Sequence, residues 1–122
     1  MKVLVVDDDD DVRTIARLSL SRLGGMAVLE ARSGREAVAL AGRERPDVVL
    51  LDVMMPELDG AGTLAALRAA EATRAIPVVF LTAKAMPAEV ERLKALGAVD
   101  VLTKPFEPRE LAGLLRRAVA GR

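Results

Sequence analysis

Five short apolar runs alternating with five amphipathic stretches predict an open α/β fold of the (βα)5 type: a five-stranded parallel sheet, doubly wound with helices on both faces. Three observations carry this. The runs Lys2–Val6, Ala27–Ala31, Val48–Leu51, Ile76–Leu81 and Val99–Leu102 are rich in β-branched residues and apolar almost throughout, as strands covered on both faces are. The segments between them repeat apolar residues at helical spacing. Strict strand–helix alternation implies parallel pairing through right-handed crossovers, and five units are too few for an eight-stranded barrel.

The first helical stretch places Val12, Ile15, Ala16, Ser19, Leu20 and Leu23 on one stripe, with Arg13 and Arg17 opposite, and Gly24-Gly25 as its stop. The second opens on a capping box, Ser33 with Glu36, continues through Ala37, Leu40 and Ala41, and meets a stop signal at Gly42 with Pro46 beyond. The third runs from about Gly60 to Ala70 around Leu64 and Leu67. The fourth starts near Pro87, a residue suited to a first helical turn, carries Val90, Leu93 and Leu96, and ends at Gly97. The fifth begins at Pro108 and lines Leu111, Leu114, Leu115, Ala118 and Val119 along one face. No repeat, linker or low-complexity tail interrupts the pattern, so residues 1–122 are expected to form one domain, with about two residues left after Ala120; a stand-alone domain and one excised from a larger protein both fit.

Composition removes whole classes of chemistry. The chain has no cysteine and no histidine, which excludes disulfides, thiolate or imidazole metal sites and a Ser-His-Asp triad. Eighteen basic and eighteen acidic residues cancel, so net charge favours neither nucleic acid nor an anionic membrane. No apolar run approaches the roughly 20 residues of a membrane span, and MKVLVV runs straight into acidic residues, unlike a signal peptide. A cytoplasmic location is the resulting expectation.

In open α/β sheets, ligands bind beyond the carboxyl ends of the strands, and there the polar residues collect. The first strand runs into five consecutive aspartates, Asp7 to Asp11. Asp9, Asp10 and Asp11 suit the start of a helix, where the dipole favours negative charge. Asp7 and Asp8 sit at the strand tip, where metal binding and a plain acidic helix start both fit. Asp52 follows Leu51 at the end of the third run; a loop-capping role is open to it, but a buried carboxylate needs a cation or donors, and Asp7 and Asp8 would offer repulsion. A hard divalent cation with a preference for oxygen ligands resolves that conflict. Thr82 ends the fourth run and is also an ordinary strand residue. Lys104 follows the fifth; by itself it reads as a surface lysine, although Pro105 biases it away from helix and X-Pro bonds are the ones that adopt cis. Together the four strand ends offer carboxylates, a hydroxyl and an ammonium, a phosphoryl-transfer set without a nucleotide cradle.

The segments VLVVDDDDDVR (Val3–Arg13), PDVVLLDVMMPELDG (Pro46–Gly60), VVFLTA (Val78–Ala83) and LTKPF (Leu102–Phe106) resemble, in order and spacing, those of response-regulator receiver domains, over nearly the whole chain. The resemblance implies a flavodoxin-like sheet order of 2-1-3-4-5. It implies that Asp52 accepts a phosphoryl group from a histidine kinase or histidine phosphotransfer protein. Mg²⁺ would be held by Asp8 directly, by Asp7 mainly through water, by Asp52 and by the backbone carbonyl of Met54. Thr82 and Lys104 would each bind a phosphoryl oxygen, while Met54 and Lys84 would tune hydrolysis by controlling water access, although Lys84 also fits a plain solvated surface lysine. Signalling would pass through the face of the fourth helix, fifth strand and fifth helix to an unknown downstream protein or output domain. One departure concerns the switch: Val101 stands where the family usually carries an aromatic, and valine is stiff at χ1 and has no ring.

Two other readings compete. One is a receiver-like interaction module whose acidic pocket is vestigial, against which the intact set Asp7, Asp8, Asp52, Thr82 and Lys104 argues. The other is a Mg²⁺-dependent aspartyl-phosphate phosphatase resembling haloacid-dehalogenase-like hydrolases; those place a second Asp two residues past the nucleophile, where this chain has Met54. No G-x-x-x-x-G-K-[ST] occurs, which removes the P-loop enzymes.

Overall fold

The computed structural model of the chain describes residues 1–84 and 86–121; Arg122, within the expected domain, lies outside them. Strands β1 (Lys2–Val6), β2 (Ala27–Ala31), β3 (Val48–Asp52), β4 (Val78–Thr82) and β5 (Asp100–Thr103) alternate with helices α1 (Asp10–Leu18), α2 (Gly34–Glu44), α3 (Gly60–Ala69), α4 (Pro87–Ala95) and α5 (Pro108–Ala120). All pairings are parallel and the sheet order is β2-β1-β3-β4-β5, so the expected fold and order are observed.

Strand side chains alternate between faces, and here both faces are apolar. Leu4, Val6, Val49, Leu51, Val78 and Phe80 pack in one buried layer with Ala37, Leu64, Leu67 and Leu93 of α2, α3 and α4. Val3, Val5, Val48, Leu50, Val79 and Leu81 point the other way, onto Ala16, Leu20, Leu111 and Leu115 of the α1–α5 side. Every residue of β3 and β4 is buried, which is why these runs lack polar alternation. The order reverses between β1 and β3, and that reversal opens the crevice in which such sheets place ligands.

Local signals act largely as expected. Ser33 caps α2 by accepting from the Glu36 N–H, and Asp9 caps α1 by accepting from the N–H groups of Asp11 and Val12. Asp59 caps α3 through the Gly62 N–H, and Glu107 caps α5 through the Arg109 N–H. Two expectations are corrected. Gly42 does not stop α2, which continues to Glu44 and closes with Arg45 in the left-handed region at φ 47°; one glycine costs a helix only about 1 kcal/mol, too little to end it. The first helical stretch is not one apolar stripe. After Leu18 the chain enters a π-helical turn, Ser19–Leu23, whose wider winding shifts the periodicity. Leu20 stays in the core, while Ile15 and Leu23 are 46% and 64% exposed and Arg13, expected on the outer face, is buried. β3, β4 and β5 each reach one residue further than expected, to Asp52, Thr82 and Thr103, and β4 and β5 begin later, at Val78 and Asp100.

Candidate functional site

The β1–α1 connection, the end of β3, the end of β4 and the β5–α5 connection meet at the carboxyl edge of the sheet. Asp7, immediately after β1, is 1% exposed, and Asp52, the last residue of β3, is 4% exposed. Asp8, next in the chain, is exposed. One carboxylate oxygen from each of Asp7, Asp8 and Asp52 lies within 4.8 Å of the others. Gly60 permits this close folding of the β3–α3 segment: its N–H donates to the Val53 carbonyl at 2.9 Å. A Cβ there would stand 2.6 Å from the Asp52 carbonyl oxygen, so only glycine fits without displacement.

Lys104 closes the pocket from β5. Its Nζ lies 2.8 Å from Asp7 Oδ2 and 3.1 Å from Asp52 Oδ1, while its backbone N–H donates to the Thr82 carbonyl at 2.8 Å. The Lys104–Pro105 peptide bond is cis. Thr82 is buried, and its Oγ1 accepts from the Lys84 N–H at 3.1 Å. The other side chains near the mouth are Met54, 77% exposed, and Lys84, also exposed. Val101 is partly buried and packs on the layer that contains α4.

The electrostatics follow from this crowding. Burial and the neighbouring Asp7 carboxylate push the Asp52 carboxyl up to about 6, against the opposing pull of Lys104 and the Met54 backbone amide. For Lys104, burial works against the charge, but the carboxylates of Asp7 and Asp52 prevail and raise it above the usual lysine value. One ammonium therefore faces the carboxylates of Asp7 and Asp52, with Asp8 beside them, and full compensation needs more positive charge. Asp7 Oδ1 accepts from the Asp9 N–H at 2.9 Å. Asp7 Oδ2 is buried and receives no well-aligned hydrogen bond; its nearby cation is Lys104. A buried carboxylate oxygen left in this state within an all-oxygen cluster fits a small hard divalent cation such as Mg²⁺.

The structure thus brings together Asp7, Asp8, Asp52, Thr82 and Lys104 as the strand-end pattern anticipated. Sequence reasoning missed Arg13. Its guanidinium is buried, with Nη1 donating to the Asp7 backbone carbonyl at 2.8 Å, Nη2 bonded to Asp10, and Nε 3.4 Å from Glu30 Oε1. The available signal was the three-residue spacing of Asp10 and Arg13, which makes a helical ion pair.

A doubly wound α/β domain with a lysine-bridged acidic pocket at its switch point is the class that fold and site define. The chain belongs to the response regulator receiver domain family, which it matches over residues 3–116. It is 40% identical over 121 residues to the alkaline phosphatase synthesis transcriptional regulatory protein PhoP of Bacillus subtilis, covering 96% of this chain and 49% of that protein. It is 43% identical over 116 residues to the response regulator MprA of Mycolicibacterium vanbaalenii, covering 95% and 49%. The chain therefore spans about half the length of these curated relatives. Among solved structures it superposes on the chemotaxis protein CheY4 of Vibrio cholerae with a TM-score of 0.89 at 37% identity, covering 96% and 97% of the two chains. The receiver domain of the sensor histidine kinase PA1611 of Pseudomonas aeruginosa, described with a magnesium ion coordinated in its active site cleft, matches with a TM-score of 0.86 at 34% identity over 98% and 97%.

Proposed function

We propose that residues 1–122 form one phosphorylatable receiver domain, working in the cytoplasm, in which Asp52 takes a phosphoryl group from the phosphohistidine of a kinase or phosphotransfer protein. The observation that carries this is the pairing of a buried Asp52 with a single ammonium, Lys104, beside two further carboxylates. Asp52 titrates near 6, so it is mostly ionised at neutral pH and able to act as a nucleophile. One of its oxygens forms the bond to phosphorus as the P–N bond to the donor imidazole breaks, the nitrogen keeping the electron pair. Phosphoryl transfer demands in-line positioning and neutralisation of charge on the phosphoryl oxygens. Lys104 neutralises one of them, and the Thr82 hydroxyl, now accepting from the Lys84 N–H, rotates to donate to another. Asp7, Asp8, Asp52 and the Met54 backbone carbonyl would hold Mg²⁺, which when bound supplies the remaining positive charge.

The donor docks beside this pocket, where Val12 and Ile15 of α1 meet Pro105 and Phe106 around Lys104 in a mainly apolar hollow. The product is an acyl phosphate that water cleaves, with exposed Met54 and Lys84 controlling access. The domain assists its own phosphorylation and dephosphorylation and acts as a timer more than a turnover enzyme. Its output runs through α4, β5 and α5 to a protein target or to a domain elsewhere in the same protein. Incubation with acetyl phosphate and Mg²⁺, followed by intact-mass and peptide analysis, is expected to place one phosphoryl group on Asp52. No added mass, or mass that persists in Asp52→Asn, would remove the proposal and favour a vestigial pocket.

A further inference from the structure

Asp7 and Asp8 belong to a three-residue connection, Asp7–Asp9, between β1 and α1. Three adjacent carboxylates in so short a connection repel one another, and what holds their side chains inward acts at Asp7, through the Asp9 N–H on Oδ1 and Lys104 on Oδ2. The strand ladders stop short of them: the registers of β1 with β2 and β3 both end at Val6. Beyond that point the Asp7 N–H still donates to the Ala31 carbonyl at 3.2 Å, but the Asp7 carbonyl has left the sheet. Its donor is Nη1 of Arg13, which reaches back from inside α1 in a buried bond of 2.8 Å.

Burying a guanidinium is costly unless its other donors are paired, and here they are. Nη2 bonds Asp10, to which Arg32 also extends at 3.4 Å. Nε approaches Glu30 of β2, whose other oxygen pairs with Arg17 at 3.2 Å. Arg13 thus fastens the β1–α1 connection to both the helix and the neighbouring strand, at the peptide that carries the first carboxylate of the pocket.

We infer that Arg13 is a positioning residue for the divalent-cation site: by holding the Asp7 carbonyl it fixes the backbone from which the Asp7 and Asp8 carboxylates face Asp52. This rests on the receiver reading of the pocket. The alternative, a residue that acts on the site only through its charge, makes the opposite prediction. Arg13 is a cation beside a cation site, so deleting its charge alone should tighten Mg²⁺ binding. Deleting a hydrogen-bonded support of the ligand backbone should weaken it, by about tenfold or more where such outer partners have been removed.

The experiment compares wild type, Arg13→Met, Arg13→Lys and Glu30→Gln by calorimetric Mg²⁺ titration. Alongside it, NMR follows amide exchange at Asp8 and Asp9 in the metal-free proteins. Arg13→Met is expected to weaken Mg²⁺ by about tenfold and to speed exchange at Asp8 and Asp9 more than in β3 or β4. Arg13→Lys, which keeps the charge and one donor, should fall between Met and wild type. Glu30→Gln, which leaves the Asp7 bond in place, should stay close to wild type. With acetyl phosphate, the loss should appear in the Mg²⁺ concentration needed and largely vanish in the rate at saturating Mg²⁺. If Arg13→Met does not fold, Arg13→Lys carries the same comparison against Glu30→Gln. Unchanged or tighter Mg²⁺ binding in both Arg13 variants would overturn the inference. Failure of the wild type itself to bind Mg²⁺ would overturn the receiver reading instead, and the amide exchange would still decide whether Arg13 holds the connection.

Discussion

At the scale of single residues, the site trades stability for reactivity, and Asp52 is where the trade is measurable. Its carboxyl is displaced from an ordinary value of 3.8 up to about 6, first by burial and then by Asp7. A raised folded-state value means that the folded protein prefers the protonated acid. The resulting stability is fully present below about pH 4 and is lost as pH rises through about 6. Each unit of displacement is worth about 1.4 kcal/mol, so the cost to the fold at neutral pH is at most about 3 kcal/mol. Asp52→Asn should therefore stabilise the metal-free protein at pH 7.5 by about 1–3 kcal/mol, and the gain should shrink as pH falls from 6 towards 4. Urea denaturation at pH 7.5, 6 and 5 checks this; a gain that does not depend on pH would mean that the charge is not its source. Asp52, Thr82 and Lys104 were legible in the sequence because each ends or closely follows an apolar run, so strand direction places it at the crevice. Arg13 was not, since helical periodicity sorts side chains by polarity and assigns an arginine to water. Its burial depends on Asp10, one turn away on the same helix, and on Glu30 and the Asp7 carbonyl, which only tertiary structure brings to it.

At the scale of elements, the proposed phosphorylation of Asp52 raises the question of which part moves, given that Val101 provides no aromatic ring. The helices are not equally held. α5 buries Leu111, Ala112 and Leu115, and the π-helical turn after α1 grips it: Ser19 Oγ donates to the Pro108 carbonyl, and Arg116 donates to the Gly24 carbonyl. That turn was not legible in the sequence, since π-helical winding has no distinctive residue pattern. α4 buries only Leu93, and its N-cap, Met86, makes no side-chain cap hydrogen bond. Few buried apolar contacts and an uncapped end mark a low-stability unit. Burying one further leucine is worth about 1.5–3 kcal/mol, and every 1.4 kcal/mol is about tenfold in an equilibrium. Amides in the middle of α4, around Leu93, should thus exchange at least about tenfold faster than those around Leu115 of α5. Hydrogen exchange read by NMR or mass spectrometry tests this. Equal protection of the two helices would remove α4 as the mobile partner and leave the readout to β5 and direct contact.

For the whole molecule, the fold was more legible than its details because it follows from patterns that repeat five times. Two apolar faces per strand and five alternations leave an open, doubly wound sheet as the arrangement that buries them all, whereas the ends of α2 and α1 depended on single local events at Arg45 and Ser19. The same architecture couples the site to global stability. Asp7 and Asp8 follow β1 and Asp52 ends β3, strands that are neighbours in space while these residues lie about 45 positions apart in sequence, so the pocket exists only in the folded chain. Anything that binds there stabilises the fold by mass action. At ten times its dissociation constant, Mg²⁺ should add about 1.4 kcal/mol, or about 5 °C in Tm for a domain of this size. Asp8→Asn removes a carboxylate that is exposed and so barely alters the metal-free protein, but it should abolish most of the Mg²⁺-dependent rise. Calorimetric melting at fixed ionic strength, with Mg²⁺ exchanged for an equal ionic strength of Na⁺, separates binding from screening, which falls on all surface charges alike. An equal rise in wild type and Asp8→Asn would show that the stabilising cation sits elsewhere, because only a cation held by this cluster is sensitive to the loss of that one carboxylate.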